Sequence, residues 1–459
     1  MDEKKSRNPL FSQRPSLLRG APFQQPDSYD DEEGDVLMIG SETSPLIVIG
    51  GGAAGMVAAW RAASRGVKVL LLEKNARLGI KLLISGGGRC NITHAGEMEE
   101  LCSAFKTIES RFLRHSFFQF TNTHLLGHLN AMGVETYARE NGRVFPTSGK
   151  AGDVVHALRL LVERAGAEIV LSTPVEEVLA DSKGISGVRT AGGVLQSRRV
   201  IIGTGGSSFP KTGTTGDGFG WLMKLGHTII PPRPALAPIH LDPTPPHAWQ
   251  GVPIRDCVVK GEAAGITLAS ARGDLLFTHH GISGPAVLAA SREAFLAWEE
   301  HHHLDIAIDL LPDKTDSELE NELKDEIAAN GTRALETLVE LFMPQRLAPF
   351  LLRDAGLDGS KKCHQLKKEE RRTVAATLKR WRVGQVKEIP LEAGEVTAGG
   401  VDLKEVDPKT MKSRLINGLY LCGEVLDIAG PIGGYNLQAA FSTGYVAGES
   451  AAPAGESGS

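Results

Sequence analysis

Apolar and polar positions along this chain fall into blocks, and the first block is the most informative. From Leu46 to Lys74 the sequence reads LIVIGGGAAGMVAAWRAASRGVKVLLLEK: an apolar run, a glycine-rich turn, a helical stretch, a second apolar run and a closing acid. That order of strand, helix and strand is what holding the pyrophosphate of a dinucleotide requires. Gly50 serves the tight turn, Gly52 lets backbone approach phosphate, and Gly55 lets the helix pack on the strand. Ala53 and Ala54 keep the first helical turn slim. The amides at that helix start have no partner within the helix, so together with the helix dipole they form an anion site. Glu73 ends the second strand roughly 20 residues on, where a carboxylate can accept from ribose hydroxyls. The motif alone leaves FAD and NAD(P) both open.

Further along, the pattern separates the chain into regions. Strand and helix alternate from Leu46 to about Pro231, as in a doubly wound sheet. Within that region VVHALRLLVERAG reads as an amphipathic helix, AEIVLSTPVEEVLA as paired strands and RRVIIGTGG as a buried strand ending in glycines. TGTTGDG then precedes a helix over Phe219 to Leu225, with Asp217 as its N-terminal cap. From about Pro232 prolines cluster, and IRDCVVKG and ITLASARGDLLFT alternate like antiparallel strands. Asp313 to Arg382 reads as helical, with Leu319, Leu323 and Ile327 at four-residue spacing behind Thr315, Asp316 and Ser317. After about Gly394 the glycine-rich α/β texture returns, with a short strand over Leu419 to Cys422 and a helix opening near Tyr435 and Asn436.

The expected fold class is therefore α/β, with a Rossmann-like domain assembled from two separated segments. Residues 45–231 and 393–450 form that domain, 232–312 an inserted antiparallel β domain and 313–392 a helical subdomain. Residues 1–44, polar and densely acidic between Asp27 and Asp35, read as a disordered extension, and 451–459 as a flexible tail.

Composition narrows the function classes. A net charge of −5 over 459 residues implies no global attraction to nucleic acid or anionic membrane. The five cysteines are scattered without C-x-x-C spacing, which argues against a disulfide framework and a zinc site and suits a reducing cytoplasm. His301 to His303 lack a spaced carboxylate or cysteine, so no metal is expected. No apolar stretch approaches the ~18 residues of a membrane-spanning helix.

One dinucleotide fingerprint followed much later by a strand ending in Gly423 and Glu424 is the layout of FAD enzymes whose extended cofactor crosses the domain. Longer blocks make the resemblance specific: KLLISGGGRCNIT (81–93), GRVFPTSGKA (142–151), GTGGSSFPKTGTTGDG (203–218), LLFTHHGISGPAVL (275–288), EVTAGGV (395–401) and LCGEVLDIAGPIGGYNLQAAFSTGY (421–445). In these the chain resembles the YhiN-like flavoproteins, a family that includes bile-acid reductases and a ribosomal RNA dihydrouridine synthase. The resemblance implies a glutathione-reductase-like FAD-binding fold. It also implies cofactor contacts at Lys74, Lys81, Ser85, Gly86, Gly87, Arg89, Cys90, Asn91, Val175, Thr204, Gly205, Gly206, Gly423, Glu424, Asn436 and Leu437, beside those of the fingerprint. Glu424 stands where related flavoproteins use Asp to hold the ribityl chain, and Asp427 is the alternative acid.

Reduced flavin with a side-chain acid would reduce an activated carbon–carbon double bond. Cys90 and His279 are the candidate proton donors, with Lys150 as a further catalytic candidate on the GRVFPTSGKA turn. NAD(P)H, lacking a fingerprint of its own, is expected as a transient electron donor. The substrate is a small molecule or, alternatively, a uracil ring in ribosomal RNA; a non-catalytic flavin-binding interaction protein is the third reading. Lys361 to Arg382, the densest basic segment, is either a solvated helix face or an RNA contact on which Trp381 could stack.

Overall fold

A computed structural model describes residues 44–452; nearly all of the expected N-terminal extension and C-terminal tail lie outside them. A five-stranded parallel sheet forms the nucleotide-binding half. Its strands are β1 (Leu46–Ile49), β2 (Val69–Leu72), β6 (Glu168–Val170), β10 (Val200–Ile202) and β19 (Leu419–Leu421), in the order β19-β10-β1-β2-β6. β1, β2, β10 and β19 are buried along their whole length, which explains why they read as unbroken apolar runs. The last strand in sequence thus joins a sheet begun by the first, in register Val200 to Leu419 on β10.

Helix α1 (Ala53–Ala63) follows β1, and the final helix α13 (Tyr435–Ala451) packs on it. The two approach at backbone distance. A Cβ at Gly444 would collide with the Ala54 carbonyl oxygen, and one at Gly448 with that of Ala58. Arg65 pairs with Glu449 at 2.6 Å, Arg61 pairs with the same carboxylate, and Arg199 donates to the Ala451 carbonyl at 2.7 Å. Fully buried Gln438 and Ser442 donate to the Phe120 carbonyl at 3.1 and 2.7 Å, so the helix is also held polar side in.

Between β2 and β6 lie α2 (Ile80–Gly88), β3 (Thr93–His94), α3 (Met98–Ser103), α4 (Thr107–Gln119), α5 (Asn122–Ala131), β4 (Thr136–Ala138), β5 (Arg143–Pro146) and α6 (Ala151–Arg164). The last is the amphipathic helix that VVHALRLLVERAG predicts. AEIVLSTPVEEVLA does not form a strand pair. β6 joins the parallel sheet, whereas β7 (Val175–Asp181) pairs with β8 (Gly184–Thr190), and β8 with β9 (Gly193–Gln196). Thr173, which donates its amide to the Glu73 carbonyl at 2.9 Å, lies where the chain leaves one sheet for the other.

Helix α7 (Asp217–Lys224) begins two residues earlier than expected. Asp217 is its first residue and not its cap, because Gly216, at φ +78°, occupies the cap position. Two strands then bridge to the rest of the molecule, β11 (Ile229–Ala235) and β18 (Val396–Val401), paired antiparallel.

Beyond that bridge a closed antiparallel barrel runs β12 (Ile239–Asp242), β15 (Gly281–Ser283), β14 (Ile266–Phe277), β13 (Pro253–Ala263), β16 (Asp305–Asp309) and β17 (Trp381–Glu388). Helix α8 (Pro285–His301) packs on it, as do α9 (Asp316–Ala329), α10 (Leu335–Val339), α11 (Ala348–Asp354) and α12 (Lys368–Lys379). Thr315 caps α9, accepting from the Glu318 amide. The barrel and its helices share one hydrophobic core. The helical stretch therefore interrupts the barrel between β16 and β17. Trp381 opens β17 and is fully buried, its indole N–H on Asp354 at 3.1 Å, so it presents no face to RNA. Along the same basic segment, Lys361 pairs with Glu370, Lys379 with Asp309, Arg380 with Glu262 and Arg372 with Glu320. No helix among the described residues is long and apolar enough to cross a membrane.

Because α13 lies on α1 through glycine, Gly444→Val should lower the thermal unfolding midpoint, by about 1–3 kcal/mol of stability for an overpacked contact. An unchanged midpoint by calorimetry would show that the two helices are not in backbone contact.

Candidate functional site

A cavity of about 470 Å³ lies between the parallel sheet, the segment after α2, the β4–β5 hairpin and the start of α13. At one side is the β1–α1 turn. Gly50 is left-handed at φ +101°, and a Cβ there would meet the Gly203 carbonyl oxygen at 2.6 Å. Gly55 packs against the Gly50 carbonyl, as its place in the fingerprint requires. Gly52 has nothing within 4 Å of a built Cβ and lines the cavity with Ala53 and Ala54. α1 has no side-chain cap, so its first amides remain available to a ligand.

Glu73 is buried, and its carboxylate accepts from the Gly51 amide at 2.6 Å and from the Asn75 amide and side chain at 2.8 and 2.7 Å. It braces the glycine loop besides lining the cavity. Lys74 lines it too, fastened to Asp217 and Thr215, each at 2.6 Å. Val175, Thr204 and Gly205 complete this side, while Gly206 is turned away against Thr397 and Glu424.

Toward the start of α13, Lys81 donates to Glu424 at 2.8 Å and to Ser208 at 2.8 Å, and Glu424 also accepts from the Thr397 amide at 2.7 Å. Glu424 lines the main cavity; Asp427 lines a smaller one instead and accepts from the Gly399 amide at 2.9 Å. Gly423 donates its amide to Thr443 at 3.0 Å. Asn436 fixes the preceding loop through Gly430 and Pro431, and it faces the cavity beside Leu437. α13, like α1, has no side-chain cap.

The segment SGGGRCN breaks the end of α2: Ser85 is extended, and Gly86 and Gly87 are left-handed. Ser85, Gly86, Gly87, Arg89 and Asn91 all line the cavity. Cys90 does not. Its side chain is fully buried, and burial pushes its thiol up to about 12, although the Ser85 hydroxyl works against that shift. A thiol packed in the core cannot reach a substrate in the cavity. His279 and Lys150 also lie outside the lining: His279 is exposed on the turn between β14 and β15, and Lys150 is exposed just before α6. The three residues expected to be catalytic are therefore not brought together.

Three further groups line the cavity. Arg139 and Arg143 project from the β4–β5 hairpin, Arg143 within the GRVFPTSGKA block and Arg139 with no local sequence signal, and Glu395 immediately precedes β18. Solvent reaches Glu395 through the cavity, yet the protein packed around it raises its carboxyl above the usual range, with Arg143 and Lys81 opposing the shift. Only the EVTAGGV block, which begins on Glu395, drew attention to that position.

FAD fits the residues present. Two uncapped helix starts open on one cavity, Gly52 leaves room for phosphate, and the buried Asn91 Oδ1 and Thr204 Oγ1 on its wall have no hydrogen-bond partner in the protein. Among the described residues no cluster of His, Cys, Asp and Glu could hold a metal ion.

A Rossmann-type sheet with one cavity shared by the starts of its first and last helices has the fold of the flavoprotein oxidoreductases. More particularly, the chain belongs to the HI0933-like family: the family model described as "HI0933-like protein Rossmann domain" matches residues 44–450. It is 31% identical over 407 residues to the 3-dehydro-bile acid delta(4,6)-reductase of Clostridium scindens, covering 88% of this chain and 98% of that one. It is 30% identical over 413 residues to the ribosomal RNA dihydrouridine synthase of Haemophilus influenzae, with the same coverage of 88% and 98%. The corresponding synthase of Escherichia coli is 30% identical over 409 residues.

All five cysteines are free and buried. Burial places Cys90, Cys257 and Cys422 each at about 12 and Cys102 at about 11. A folded-state pKa above the unfolded value gives stability that is full below pH ~8.5 and is lost as pH rises toward 12. At pH 8 the native protein should release less than one equivalent from a chromogenic disulfide reagent, against all five after denaturation. Rapid native labelling at Cys90 would contradict its placement in the core.

Proposed function

We propose that this protein is an FAD-dependent reductase of activated carbon–carbon double bonds, drawing its electrons from NAD(P)H. The observation that carries the reading is the single cavity onto which both α1 and α13 open with uncapped N-termini. When bound, FAD would supply hydride at the α13 end of the cavity. Gly52, Ala53 and the α1 amides would hold its pyrophosphate, with Glu73 on the adenosine ribose and Glu424 on the ribityl side. The α13 start, through its amides, favours negative charge on the reduced ring system.

A proton must reach the carbon next to the one that takes hydride. Of the lining carboxylates, Glu73 is engaged by the glycine loop, Asp217 by Lys74 and Glu424 by Lys81. Glu395 makes no ion pair among the described residues, and the protein packed around it keeps its carboxyl protonated to higher pH than usual, against the opposing charges of Arg143 and Lys81. It takes the role expected of Cys90 or His279.

Two substrates follow from the relatives, at nearly equal identity: a steroid-like enone, as the name of the Clostridium scindens enzyme indicates, and a uracil ring in ribosomal RNA, as the names of the synthases indicate. Both need the same bond chemistry. Four of the nine Lys and Arg side chains of the basic segment are paired within the protein, and buried Trp381 offers no base a stacking face there.

Ribosomal RNA nucleosides from cells with and without the gene, together with anaerobic reduction of a 3-oxo-4-ene steroid by the purified protein and NAD(P)H, separate the two. Loss of dihydrouridine establishes the RNA substrate and steroid turnover the small-molecule one; neither result, with a flavin that NAD(P)H cannot reduce, contradicts the reductase reading. With whichever substrate turns over, the rate should fall as pH rises through the raised Glu395 pKa. Glu395→Gln should lower turnover about 10²-fold or more and remove that inflection. An unaltered pH profile in the variant would exclude Glu395 as the proton source.

A further inference from the structure

The cavity carries more positive charge than a bound dinucleotide accounts for. A pyrophosphate brings two negative charges, which the amide-rich start of α1 would meet, and the Arg89 side chain also lines the cavity. Lys74 is paired with Asp217 at 2.6 Å and Lys81 with Glu424 at 2.8 Å. Arg139 and Arg143 remain. Both line the cavity, and neither forms an ion pair among the described residues.

The hairpin that carries them is built to hold them. The Arg139 amide donates to the Arg143 carbonyl at 2.9 Å and the Gly142 amide to the Arg139 carbonyl at 2.9 Å, closing a tight turn with an arginine on each side. The Arg139 guanidinium lies 4.2 Å over the Phe145 ring, itself a lining residue, and its side chain makes no hydrogen bond among the described residues. Arg143 is half-buried and stands opposite His94 in the β3–β5 ladder. The His94 ring packs on Gly142 and stacks on Tyr435, the first residue of α13, at 4.8 Å and 22°. The hairpin therefore sits beside the start of α13, the end of the cavity that the reductase reading makes the reacting one.

The geometry points to Arg139 and Arg143 as an oxyanion clamp for the substrate, which thus carries a carboxylate or phosphate group besides its reducible bond. The inference rests on the reductase reading only for the side of the cavity on which substrate lies. Two arginines lining one cavity suit the planar, bidentate recognition of a carboxylate or phosphate, which lysines would supply only as point charges. Arg143, less exposed, contributes more of the affinity; Arg139, at the rim, is more strongly screened by solvent.

Calorimetry on the purified full-length protein tests this with two pairs of probes: uridine monophosphate against uridine, and a 3-oxo-steroid carboxylate against its methyl ester. The charged member of at least one pair should bind more tightly than its neutral partner. That preference should fall about tenfold or more in Arg143→Gln, a change of about 1.4 kcal/mol, and less in Arg139→Gln. Arg143→Lys should restore it only partly, and the neutral probes should bind all forms alike. Preference confined to the phosphate pair identifies a nucleotide source, and preference confined to the carboxylate pair a small-molecule acid. Equal binding of charged and neutral probes, no binding of either charged probe, or a preference untouched by both substitutions overturns the clamp. Flavin content measured on the same samples keeps the two readings apart: protein without flavin counts against the cofactor assignment, while the calorimetric comparison still decides the clamp.

Discussion

Helix α13 can lie on α1 at backbone distance only because Gly444 and Gly448 have no side chains to meet the carbonyls of Ala54 and Ala58. That contact joins the last segment of the chain to the first, across the whole inserted barrel. It is reinforced at its outer end by Glu449 against Arg61 and Arg65, while Tyr445 of α13 also stacks on Phe120 at the end of α4, at 4.6 Å. Once α13 is docked, its N-terminal loop stands over the cavity that α1 opens from the other side. Were the helices a few ångströms further apart, the two uncapped starts would not share one cavity.

The inserted half meets this frame through two strands, β11 and β18, and through half-buried Arg292 on α8, which pairs with buried Glu109 at 2.8 Å and donates to the Ala429 carbonyl at 2.8 Å. Leu236 and Glu395, at the points where the chain leaves and re-enters the nucleotide-binding half, are tied by a 3.0 Å backbone hydrogen bond, and both line the cavity. The barrel thus contributes to the site by holding its wall at the junction. Acid, arginine clamp and helix start come from three segments distant in sequence, each with a different electrostatic task.

The sequence made the fingerprint legible because every part of it is local. Gly50, Gly52 and Gly55 obey steric rules that act within one turn and one helix, and Glu73 follows at a fixed distance. The return of the chain at Gly423 and Glu424 was legible from the repeated glycine-acid texture. What could not be read depends on which face a residue presents. Cys90 sits between two lining residues, Arg89 and Asn91, yet points into the core, because the left-handed glycines before it reverse the chain. Trp381 continues the apolar spacing of α12 but belongs to a barrel strand, since the helix ends at Lys379. Arg139 lies in a polar hairpin with no periodicity, and only the pairing of β3, β4 and β5 brings it to the cavity.

On the reading proposed above, the cavity between α1 and α13 holds one FAD, with its adenosine end at Glu73. Heat or acid release of the cofactor from protein purified in the dark, followed by chromatographic identification and quantification against protein, tests it most directly. FAD is expected at about one per chain, lost when Gly52 is replaced by Trp. Protein that binds NAD(P) in its place, or that takes up no FAD on incubation with it, would rule out an FAD site between the two helices.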